Sequence, residues 1–91
     1  ARRSMIESYT QKVTELENIA KSFDGVSDCY VLSGGRELRV IVNSKKIDDL
    51  SALKLSQKMA ARIEEEVNYP GQIKVVIVRE TLVTEMTKMH A

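Results

Sequence analysis

Two adjacent glycines, Gly34 and Gly35, constrain this chain more than any other feature. They separate "VSDCYVLS" (26–33) from "RELRVIVN" (36–43), two short runs with β-branched or aromatic residues. Glycine accepts positive φ without steric cost, so the pair predicts a β-hairpin. The alternative, a phosphate cradle, needs its glycines to run straight into a helix N-terminus, where free amides and the dipole meet the anion. Gly34-Gly35 leads into a strand instead.

Around the hairpin the apolar period changes. Ile6, Tyr9, Val13, Leu16, Ala20 and Phe23 recur at steps of three and four, predicting a helix from Ser4 to about Ser22, with Ser4 and Glu7 as a capping box and Gly25 as the stop. Asp48 or Asp49 caps a second helix to about Val67, whose inward stripe is Ala52, Leu55, Met59, Ile63 and Val67. Pro70-Gly71 then makes a turn, and "IKVVIV" (73–78) is a third strand that residues 79–91 either extend or leave frayed. The order is α-β-β-α-β, an α+β fold with a three-stranded sheet and helices packed on it. On strand two Leu38, Val40 and Val42 oppose Glu37, Arg39 and Ile41; on strand three Ile73, Val75 and Ile77 oppose Lys74, Val76 and Val78. Both faces thus carry apolar residues, and Ile41, Val76 and Val78 are expected to be a packing or interface face, covered by the first helix or by another chain.

Composition excludes more than it suggests. Ninety-one residues make one domain at most, and a net charge of +1 leaves little long-range field to gather a polyanion. Cys29 is alone, so nothing asks for an oxidising compartment. No apolar run approaches the ~20 residues of a membrane span, and the opening lacks a signal peptide's apolar core. The chain starts Ala-Arg-Arg, the expected look of a piece of a longer protein. The one histidine, His90, lies next to the last residue, so no histidine cluster for a metal and no held triad is expected; no catalytic, metal or cofactor residue is assigned. The GxxG loop of a KH domain joins two helices and is not matched.

The charged residues have structural explanations first. Asp48-Asp49 stands where a helix cap belongs. Glu64-Glu65-Glu66 opposes the dipole at a helix end, which calls for a cation such as Arg62 or Lys74. Arg36, Arg39, Lys74 and Arg79 lie on the strands and are the candidate contacts to RNA or a partner, although Arg39 shares a face with Glu37 and Lys74 with Glu80, which favours cross-strand ion pairing.

"SFDGV" (22–26), "GRELRVIV" (35–42), "KKIDD" (45–49), "IEEEVNYPGQIKV" (63–75) and "IVRET" (77–81) together resemble the C-terminal region of ribonuclease Y, and "ARRSMIESY" resembles the segment by which that family leaves its HD domain. The resemblance implies a bacterial endoribonuclease that starts mRNA turnover, with a membrane anchor, a coiled coil, a KH domain and an HD domain holding a divalent metal. It implies residues 1–25 as a helix leaving the HD domain and 26–91 as a small C-terminal domain, on the cytoplasmic side, without membrane contact or cofactor of its own. Implied partners are its own HD domain, a second copy, other mRNA-decay proteins, and RNA through the parent. The expected role is non-catalytic, supporting the HD domain or protein contacts, with an auxiliary RNA surface as the alternative. The family's catalytic His-Asp pair and KH loop have no matching positions here. Its usual basic residue and aromatic after "RET" are replaced by Leu82 and Met86.

Overall fold

A computed structural model describes residues 2–69 and 71–89, with side chains from Tyr9 onward. The Ser4–Glu7 capping box, Ile6, Pro70 and His90 therefore lie outside what is described. The elements are α1 (Arg2–Lys21), β1 (Val26–Leu32), β2 (Glu37–Asn43), α2 (Asp49–Glu66) and β3 (Lys74–Glu80). β2 is central, antiparallel to β1 and parallel to β3. The expected order and fold class are observed, and β3 runs two residues past Val78 before the chain leaves regular structure.

The hairpin forms, but its turn is longer than a glycine pair. Ser33 (φ 54°), Gly34 (66°) and Gly35 (89°) are three consecutive left-handed residues, closed by Arg36 N–H donating to the Ser33 carbonyl at 3.3 Å. Ser33 was not foreseen there, because nothing in its residue type marks it for positive φ.

Alternation along β2 builds the core. Leu38, Val40 and Val42 are fully buried, joined by Cys29, by Leu16, Ile19 and Ala20 of α1, and by Leu55, Met59 and Ile63 of α2. Burial also holds the Cys29 thiol above its ordinary pKa. Of the two covers expected for the second sheet face, helix one or another chain, the first is corrected: α1 packs on β1 and α2 on β3, over the same face. Width explains it. Three strands about 4.8 Å apart, with their side chains, span roughly 15 Å, more than one helix of ~10 Å diameter can cover. The helices meet where Arg62 donates to Ser22 Oγ at 2.7 Å and lies over the Phe23 ring.

Asp48 is the α2 cap, its Oδ1 accepting from Ser51 N–H at 2.7 Å. That bond holds the carboxyl below its ordinary value of 3.8. A lowered folded pKa gives stability that is present above the unfolded value and lost as pH falls through the folded one. Melting temperatures of the native chain and Asp48→Ala should therefore differ at neutral pH and converge in acid. A gap unchanged well below the ordinary aspartate value would discount the capping carboxylate.

Candidate functional site

The four candidate cations do not form one surface. Arg36 and Lys74 come together because the parallel register sets the start of β3 beside the hairpin turn, Lys74 N–H donating to the Arg36 carbonyl at 2.7 Å. Both line an open cleft of about 680 Å³ between the end of α2 and β3, with Ile63, Glu64, Tyr69 and Ile73. Tyr69 is the centre of this corner. The Lys12 ammonium lies against its ring, and hydrogen bonding by Lys12, then Arg36, holds its phenol below the ordinary range. Gly35 makes room: a Cβ there would stand 2.9 Å from Lys12 Nζ.

Arg79 sits at the opposite end of the sheet and is a structural clamp. Its guanidinium donates to the carbonyl of Ile47 (2.7 Å), to Asp49 Oδ1 (2.6 Å) and to the carbonyl of Ser44 (3.2 Å), fixing the loop between β2 and α2. Arg39 is on the open face and pairs along its own strand with Glu37 at 2.7 Å, rather than across the strands as expected. The acid run is answered by Arg62, which binds Glu66 at 3.1 Å.

Ile41, Val76 and Val78 do share a face, the one that neither α1 nor α2 covers. The register puts Ile41 beside Val78 and, on its other side, Asp28; Val76 stands beside Arg39, which has Tyr30 as its other neighbour. Tyr30 is half exposed, and its hydroxyl donates to Asp28 Oδ2 at 3.0 Å, which raises its pKa. The face is an apolar centre rimmed by Asp28, Tyr30, Arg39 and Glu80. Among the described residues no group of three or more His, Cys, Asp or Glu side chains could hold a metal ion, and no helix is long and apolar enough to cross a membrane.

Comparison with curated proteins decides the family. Ribonuclease Y 2 of Bdellovibrio bacteriovorus is 72% identical over 88 residues, 97% of this chain. The chain belongs to the ribonuclease Y family. Ribonuclease Y of Symbiobacterium thermophilum is 51% identical and that of Aquifex aeolicus 49%, each over 97% of this chain. The chain spans only 17% of the first two relatives' length and 16% of the third's, and it is similar to the C-terminal part of ribonuclease Y. No protein-family model matches, and no solved structure matches.

Within this ribonuclease Y part, sequence reasoning missed Lys12 as a partner of Tyr69. A lysine beside the buried stripe of α1 carries no local signal for a ring 57 positions away; only the packing of α1 over the hairpin turn brings them together. It also grouped Arg79 with surface cations, since nothing local shows that its fork meets two carbonyls.

Proposed function

We propose that this unit is a non-catalytic docking domain of a ribonuclease Y, seating its open sheet face on the domain upstream of it. The parent is a metal-dependent endoribonuclease of mRNA turnover whose chemistry lies in that HD domain. The observation that carries this reading is the one-sided sheet: both helices cover the same face, and Ile41, Val76 and Val78 lie together on the other. Apolar patches with polar rims serve contact. The relatives are about six times longer than this chain, so their other domains are tethered to this face at high effective concentration.

Mixing the chain with the rest of the parent tests the idea by calorimetry. Binding is expected, and Ile41→Glu is expected to weaken it at least tenfold while leaving the melting temperature nearly unchanged, because a buried unpaired charge is costly only where the face is covered. No binding, or equal binding by the variant, would overturn the reading. So would RNA cleavage by the chain alone in Mg²⁺ or Mn²⁺.

A second reading rests on the corner where Lys12, Arg36 and Lys74 surround Tyr69: an auxiliary RNA surface, with a ring for stacking and three cations for phosphate. Phosphate neutralisation makes such binding strongly salt-dependent. Submicromolar binding of a single-stranded oligonucleotide at physiological salt, lost in Arg36→Glu but kept in Arg79→Ala, would set this reading above the first.

A further inference from the structure

The sheet has two edges, and they are not alike. Along β1 the register shifts between Val26 and Asp28, a bulge that blunts an edge against pairing. β3 has no irregularity over its seven residues, "KVVIVRE", and no strand among the described residues meets its outer side. Lys74 N–H donates to the Arg36 carbonyl just before β2, and the Glu80 carbonyl accepts from Ser44 N–H at 2.9 Å. The even-numbered residues of β3 thus turn their backbone groups inward. Val75, Ile77 and Arg79 turn theirs outward, where no strand among the described residues meets them.

The charges of β3 are complementary about its centre. Lys74 stands three residues before Ile77 and Glu80 three after it. If two copies of β3 lie antiparallel about a twofold axis at Ile77, Ile77 faces Ile77 of the second copy and Val76 faces its Val78. Lys74 faces its Glu80, at both ends. The parity is also right, because Ile77 is one of the outward-turned residues and so forms a hydrogen-bonded pair. A shift of the axis to Val76 would set Lys74 against Val78 and lose both ion pairs.

Helix α2 supplies a separate observation. It runs antiparallel to β3, Asp49 meeting Arg79 at one end while Ile63 and Val67 meet Ile73 at the other. Ala60 lines the cleft over Ile73 and Val75, and Leu53, seven residues earlier, is on the same flank and 55% exposed. One turn in from Asp49 is about 6 Å along the helix, and two residues back from Arg79 is about 6 Å along the strand. Leu53 therefore stands level with Ile77, beside the proposed axis, where its counterpart in the second copy would meet it.

We propose that the outer edge of β3 is a self-association site, joining two copies of this chain into a six-stranded sheet with Ile77 on the twofold axis and Lys74 paired to Glu80 of the second copy. The edge and the flank of α2 are distinct from the centre of the open face, so a dimer can form whether or not Ile41 docks the parent. The contact is small, and a weak, concentration-dependent dimer follows.

Charge reversal reads the register directly. Sedimentation of the chain should show a monomer–dimer equilibrium that weakens about tenfold in Lys74→Glu and in Glu80→Lys, because each sets like charges opposite at two places. The double variant Lys74→Glu/Glu80→Lys should restore it. Leu53→Ser should weaken it too, with the melting temperature of the dilute monomer unchanged. A chain that stays monomeric at millimolar concentration overturns the proposal, and so does a dimer indifferent to the single reversals or not rescued by the double one. Neither outcome touches the Ile41→Glu result, so the two readings fail separately.

Discussion

Leu38→Ala is expected to lower the unfolding free energy by about 2–5 kcal/mol, the range for removing a large aliphatic side chain from a closed core. Leu38 is fully buried on the central strand, with Val31 of β1 and Val75 of β3 as its register neighbours and both helices over its face. Little of that space can collapse, since the strands hold its sides. A domain of this size has roughly 5–14 kcal/mol in total. At about 4–8 °C per kcal/mol the melting temperature falls by roughly 10–40 °C. The decisive comparison is Ile41→Ala, three residues on and on the opposite face, where the loss should be about 1 kcal/mol or less. Equal losses would mean that both faces are covered in the chain by itself, contrary to the one-sided core.

Arg79→Ala should cost about 1–2 kcal/mol, more than most partly exposed charges, because it strips the donors from the Ile47 and Ser44 carbonyls at once. The pair with Asp49 adds little, since that carboxylate is 92% exposed. Arg79→Lys tests the distinction. A compact ammonium cannot bridge carbonyls and carboxylate together, so less than half of the loss should return. Urea midpoints at constant slope measure both variants. Full recovery by lysine would show that charge alone matters at this position.

The parts of the fold that were legible beforehand are those set by local rules. The α2 stripe from Leu55 to Ile63 is buried as its spacing requires, Asp48 caps, and the alternation of β2 sorts Leu38, Val40 and Val42 from Glu37, Arg39 and Ile41. What was not legible depends on tertiary placement. The side of the sheet chosen by α1 follows from how wide a face α2 can cover, which no period in residues 9–23 encodes. The clamp of Arg79 needs the loop carbonyls of Ser44 and Ile47 to turn toward it, and the Lys12–Tyr69 contact needs α1 to cross the hairpin turn. Of the candidate site, the face of Ile41, Val76 and Val78 was readable from alternation alone, whereas the division of the four cations between two ends of the sheet and its open face was not.

The one-sided sheet also bears on how such a unit can change over generations. On β2 and β3 the side chains that pack on the core and those that face away from it occupy alternate positions of the same strands. Substitutions at 39, 41, 76 and 78 leave the packing of 38, 40, 42 and 75 untouched. A domain built this way can acquire a new contact surface one residue at a time, its partners free to drift while its interior stays the same.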